Sequence, residues 1–241
     1  MAFLEDIREK FSQLVTANGL RREEIQVVNA RPLTPEEAIG RPERDDFPLL
    51  KGKEVMMEAL FLGARGQAFT DMPGNFQGTV EDVLALPLKN NFERAVFVAT
   101  LNAVMRYLKL VDKTVHCRDK EPGQCALQLV AYVRERFGYP RIAFIGLQPA
   151  MVTNLADHFP LRVVDLDPDN IGKKKGKAIV EDASCTPEIL DWCDVIIATG
   201  TTAVNDTLSP LLGQKPVIFY GVTIAGIAYL AGFERYCFCG H

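Results

Sequence analysis

After Pro140, short apolar runs rich in β-branched residues alternate with helix-compatible segments, and this rhythm constrains the fold more than any other feature of the chain. Arg141 to Gly146 reads as a buried strand ending in glycine. Leu161 to Leu166, Asp194 to Ala198 and Pro216 to Tyr220 read as three more. Between and after them, 151–159, 187–192, 204–212 and 224–231 suit helices. Parallel strands need a crossover of a dozen or more residues, usually a helix, and such crossovers are right-handed. The expectation is therefore a Rossmann-like parallel sheet, whose edge Arg235 to Cys239 closes.

The first half is organised differently. Phe3, Ile7, Phe11, Leu14 and Val15 recur at helical spacing, and Asn18-Gly19 supplies a stop. Residues 26–30 read as a short strand. Thr34-Pro35-Glu36-Glu37 and Thr79-Val80-Glu81-Asp82 have the hydroxyl cap and first-turn acids of helix starts. Glu54 to Leu62 is almost continuously apolar, as in a strand covered on both faces, and Gly63 to Gly78 reads as a turn-rich connection. Phe92 to Leu108 predicts a long buried helix. Pro122 starts another, which stops at Gly138. This is an α+β arrangement. The polar stretch Lys109 to Gln124 points to a boundary between about 110 and 140. The expected division is a smaller α+β domain over 1–115 and the Rossmann-like α/β domain over 116–241.

Of the 241 residues, 48% are hydrophobic and 24% charged, enough apolar material for two modest cores. A net charge of −4 argues against nucleic acid, whose phosphates select basic faces. No apolar run reaches the roughly 18–20 residues that span a bilayer. The opening MAFLEDIREKF lacks the basic start and apolar block of a signal peptide, so a cytoplasmic protein with six reduced cysteines is expected. A homo-oligomer stays open.

In open parallel sheets, ligands bind beyond the carboxyl ends of the strands. Three loops there carry small and polar residues. Gly146-Leu147-Gln148-Pro149 departs from the dinucleotide fingerprint, and Pro149 removes one amide donor, so a group smaller than a pyrophosphate is expected. Thr199-Gly200-Thr201-Thr202 with Asn205 and Thr207 is the strongest candidate: glycine admits a ligand to the backbone, while hydroxyls and helix-start amides cradle an anion. Threonine and asparagine also make ordinary caps and turns. Gly221 and Thr223 leave the next strand towards the same place. Asp165 lies 19 residues after Gly146, where nucleotide-binding sheets keep a ribose ligand; an acidic turn is the plainer reading. The lysines of 173–177 read as a solvated face, Cys193 as core and His158 as a helix-terminal cation. Glu181, Asp182 and Asp206 are acids that a cleft can use.

Cys237 and Cys239 are two residues apart, so on a strand both face one way, with His241 beyond them. Together with His116 and Cys117 they form a candidate set of soft transition-metal ligands, with Cys125 as a further donor. Packed, reduced cysteines are the bland alternative.

Ile196 to Leu208, around Thr199-Gly200-Thr201-Thr202 and Asn205-Asp206-Thr207, resembles the signature of the heavy-metal-chelation family. Ala99-Thr100-Leu101-Asn102-Ala103 is similar to a helix of that family's N-terminal partner domain. The resemblance implies an enolase N-terminal-like domain joined to a Rossmann-like one. It also implies a metal or metallated ligand held in the cleft between them, and a link to anaerobic cofactor or corrinoid metabolism. The residues leave two rivals open: an enzyme using a nucleotide or S-adenosylmethionine-like cofactor, and a non-catalytic small-molecule sensor. The expected ligand is a small anionic or metal-containing molecule.

Overall fold

Val195, Ile196, Ile197 and Ala198 are all buried, so the strand that carries them has to be covered on both faces. The computed structural model describes residues 2–22, 28–52, 54–213 and 215–241. In chain order the elements are α1 (Ala2–Ala17), β1 (Val28–Pro32), α2 (Pro35–Ile39), β2 (Val55–Phe61), β3 (Ala64–Thr70), β4 (Phe76–Gly78), α3 (Val80–Leu84) and α4 (Asn91–Tyr107). Then come α5 (Glu121–Phe137), β5 (Ile142–Ile145), α6 (Pro149–Ala156), β6 (Leu161–Asp165), β7 (Lys174–Lys175), β8 (Ala178–Asp182) and α7 (Thr186–Trp192). The chain closes with β9 (Val195–Thr199), α8 (Thr201–Val204), β10 (Val217–Tyr220), α9 (Ala225–Ala231) and β11 (Glu234–Tyr236).

The larger sheet runs β11-β10-β9-β5-β6-β8-β7. Its pairs are parallel except the β7–β8 hairpin. The chain is thus α/β, with a parallel sheet where the sequence rhythm places it. The smaller sheet, β3-β2-β1-β4, is antiparallel.

Strand alternation sorts the larger sheet's side chains between two cores. Ala143, Ile196, Ala198 and Phe219 join a cluster with α1 and α4. Phe144, Ile197, Ile218 and Tyr220 join a second cluster with residues of α2, α5 and α6. Both clusters draw on residues before and after position 115. Every residue from Arg94 to Met105 is buried, as expected of a helix packed all round. Among the described residues no helix is long and apolar enough to cross a membrane.

Several local expectations change. Residues 63–78 are not a plain connection but contain β3 and β4. Gly66 is there because β3 lies against α4: a Cβ would sit 2.2 Å from the Ala103 nitrogen. β2 is covered on both faces only in part, since Leu60 is 46% exposed. The lysine run forms β7 and pairs with β8, which the sequence reading passed over because its buried residues, Ala178 and Val180, are so few. Residues 204–212 do not form one helix. α8 stops at Val204, and a 3-10 turn spans Ser209–Leu211. Asp206 interrupts them with φ +57°, and Pro210 occupies that turn. β11 ends at Tyr236, so Cys237 and Cys239 lie beyond the strand and its alternation does not govern them. The strand expected at 26–30 is β1, shifted to 28–32, and residues 26–27 lie outside the described residues.

Candidate functional site

The carboxyl ends of β5, β6 and β9 open on a cleft of about 890 Å³. Gly146, Asp165, Thr199, Thr201, Thr202, Asn205 and Thr207 all line it, so the structure brings the sequence-selected loops together. Gly221 and Thr223 instead line a smaller cavity of about 100 Å³ beside it. Gly200 lines neither. It lets α8 start against the α9 loop, where a Cβ would come within 2.7 Å of the Ile224 nitrogen.

The hydroxyls serve the loop as well as the cleft. Thr202 Oγ1 donates to the Thr199 carbonyl at 2.7 Å, and Thr207 N–H returns to the Thr202 carbonyl at 2.9 Å. Thr199 and Thr201 hydroxyls lie 3.1 Å apart, and both line the two cavities. Because α8 has four residues, it offers little helix dipole to an anion. Gly146 turns at φ +88° under Thr199, where a Cβ would approach Thr199 Cγ2 to 2.5 Å. Its carbonyl accepts the Tyr220 hydroxyl at 3.0 Å.

Asp165 is a buckle between loops. Its Oδ2 accepts Leu147 N–H at 2.7 Å, and its Oδ1 accepts Asp167 N–H at 2.8 Å and Asn170 Nδ2 at 3.1 Å. Much of its accepting capacity is therefore committed to shaping the wall.

The opposite wall was not legible in the sequence. It includes Glu54 ahead of β2, Asp71 after β3 and Asn91 at the start of α4. Asn91 Nδ2 donates to Asp71 Oδ1 at 2.7 Å and lies 3.3 Å from Asn205 Oδ1, tying that wall to the threonine loop. Arg94 holds the corner from inside: Nε donates to the Val204 carbonyl at 2.5 Å, and another nitrogen reaches Asn91 Oδ1. Glu54 keeps part of its surface in the cleft. Desolvation, with Asp165, Asp71 and Asp167 adding repulsion, pushes its carboxyl up to about 7. The one available signal for Glu54 was a carboxylate at the head of an apolar run.

The acids considered from sequence are elsewhere. Glu181 pairs with Arg162, and Asp182 caps Ser184; neither lines the cleft, nor does Asp206. Lys175 bonds Asp46 at 2.7 Å and Lys177 pairs with Asp157 at 3.2 Å.

Of the five expected soft ligands, His116, Cys117 and Cys237 line the small cavity, joined by Cys125. Burial lowers the His116 pKa and raises those of Cys117 and Cys237, so all three are neutral near pH 7. Cys239 and His241 do not line that cavity. Burial pushes Cys239 up to about 11. His241 Nε2 lies 2.9 Å from Glu121 Oε2, and the His241 backbone pairs with Val115. Among the described residues, no group of three or more His, Cys, Asp or Glu is arranged to hold a metal ion.

Residues 130–232 match the DUF364 family, described as "Putative heavy-metal chelation". The chain is similar in fold to a DUF364-family protein of unknown function from Pyrococcus horikoshii. There the identity is 18% and the TM-score 0.57, over 92% of this chain and 79% of that one. A second DUF364-family protein of unknown function, from Desulfitobacterium hafniense DCB-2, is 15% identical with a TM-score of 0.52, over 74% of this chain and 73% of that one. At these identities the likeness extends to the fold. No curated protein matches. The matched segment supplies β5, β6, β9 and the threonine loop, while Glu54, Asp71 and Asn91 come from outside it.

Proposed function

We propose that the protein binds a metallated organic ligand in the cleft between the parallel sheet and the smaller sheet. The observation that carries this reading is the pairing of a space of about 890 Å³ with carboxyl groups on both walls. That volume is within the roughly 300–1,000 Å³ of organic-ligand pockets and far exceeds a bare ion. Glu54, Asp71, Asp165 and Asp167 all line it and favour positive charge, so a metal-containing ligand accords better with the walls than a free anion. A ligand that brings its own donor atoms has no need of a ready-made protein cage. Asp165, committed to two loops, supports the nucleotide reading less well.

Protein purified without oxygen and examined by native mass spectrometry with elemental analysis tests the reading. Stoichiometric transition metal travelling with added organic mass is the expected result. As a defined probe, tris(ethylenediamine)cobalt(III) is expected to bind by calorimetry, at least tenfold more weakly to the folded Asp71→Asn/Glu54→Gln variant. No bound metal together with no probe binding by the folded protein overturns the proposal.

A further inference from the structure

Protein interiors rarely leave voids larger than a water. The small cavity beside the cleft, at about 100 Å³, is several times a water's share of about 30 Å³. Its apolar wall includes Ile39, Phe47, Leu49, Phe69, Met151 and Tyr236, drawn from both sheets' surroundings. The thiols of Cys117 and Cys237 and the His116 ring complete the wall in neutral form. Pro48, Glu54, Leu147, Thr199, Thr201 and Tyr220 line both this recess and the cleft, so the two spaces adjoin. Of those six, Glu54 is the ionisable carboxyl.

We infer that the recess takes a short aliphatic branch of a cationic organic ligand whose charged part lies beside Glu54 in the cleft. This rests on the cleft reading above and narrows it to ligands with both a positive centre and an alkyl arm. The arm is short. A dry cavity of about 150 Å³ holds benzene, so about 100 Å³ holds about four carbons.

Calorimetry at pH 8 on the full chain, with n-alkylammonium chlorides from methyl to hexyl, tests this. Affinity is expected to rise about fourfold per methylene as far as butyl and then level off, because each buried methylene adds a fixed increment. Met151→Trp, which fills the recess, is expected to remove the dependence on chain length while leaving tris(ethylenediamine)cobalt(III) binding unchanged. Ile39→Phe fills it from α2 instead of α6 and serves if the tryptophan variant does not fold. Cobalt-complex binding without any chain-length gain overturns the aliphatic arm and leaves the cleft reading standing. A chain-length gain that persists in a folded recess-filling variant also overturns it. Failure of both probes overturns the aliphatic arm, and together with the absence of bound metal it overturns the cleft reading as well.

Discussion

The side-chain carbonyl of Asn102 accepts the backbone N–H of Gly226 at 2.7 Å, locking α4 to α9 in the interior. From the same amide, Nδ2 donates to the carbonyls of Gln67 at 3.0 Å, Val222 at 3.2 Å and Thr223 at 3.0 Å. One fully buried side chain thus joins the smaller sheet to the loop that follows β10. Asn102→Ala orphans those partners, each at about 1–3 kcal/mol. The expected loss is about 4 kcal/mol, a fall in Tm on the order of 10 °C. A thermal melt showing a fall of less than about 2 °C is incompatible with this role.

Gly66 lets β3 reach α4, where an added Cβ meets the Ala103 nitrogen at 2.2 Å and the Ala99 carbonyl at 2.4 Å. Both neighbours are helix backbone and cannot swing aside. Gly66→Ala is expected to cost about 3 kcal/mol or more by overpacking, despite alanine's modest size. Gly63→Ala is the control, with nothing within 4 Å of its Cβ but a φ of +82°. It carries a backbone penalty of about 1–2 kcal/mol. Denaturant unfolding ranks the two; a milder effect at Gly66 than at Gly63 contradicts the close-packing account.

These glycines show why part of the structure was readable from sequence and part was not. The parallel strands announce themselves because Ile142, Val163, Ile197 and Ile218 are buried in short runs rich in apolar, β-branched residues. Gly66 read as a turn because a sequence does not reveal which backbone will approach it. β8 was not legible because its apolar run, Ala178 to Val180, is only three residues long before Glu181 and Asp182. The threonine loop was legible as one wall of the cleft. Glu54, Asp71 and Asn91 were not, because they meet that wall through tertiary packing across more than fifty residues of chain. Of the cysteine set, Cys117 and Cys237 line one cavity and Cys239 does not, because the strand alternation that pairs Cys237 with Cys239 in sequence ends at Tyr236.

Glu54 titrates in the opposite direction from a stabilising carboxylate. Its pKa is raised by desolvation and then by Asp165 and Asp71, from an ordinary 4.5 to about 7. The folded state therefore holds this proton more tightly than the unfolded chain. The associated stability is complete below about pH 4.5 and is lost as pH rises through 7. At pH 8 Glu54→Gln is expected to be more stable than the parent, by up to roughly 3 kcal/mol, and close to it at pH 4.5. Urea titrations at the two pH values give the comparison. An advantage that is equal at both assigns the effect to packing instead of charge.

The carboxyl-terminal tail that carries Cys239 is anchored at His241. Val115 N–H donates to the His241 carbonyl, and His241 N–H to the Val115 carbonyl, each at 2.9 Å, while Glu121 meets the His241 ring. In this tail Cys239 rises from 9.0 to about 11, first by burial and then through Cys125 and Glu121. A shift of that size reduces the reactive thiolate at pH 8 by roughly 100-fold. Iodoacetamide is thus expected to modify Cys239 at least tenfold more slowly in the folded protein than in urea, after allowance for the higher nucleophilicity of a more basic thiolate. Glu121→Leu removes both the repulsive carboxylate and the tail's side-chain anchor, so it accelerates modification of Cys239. Peptide mass mapping over a time course reads the rate at this position, and an unchanged rate in that variant contradicts the anchoring role of Glu121.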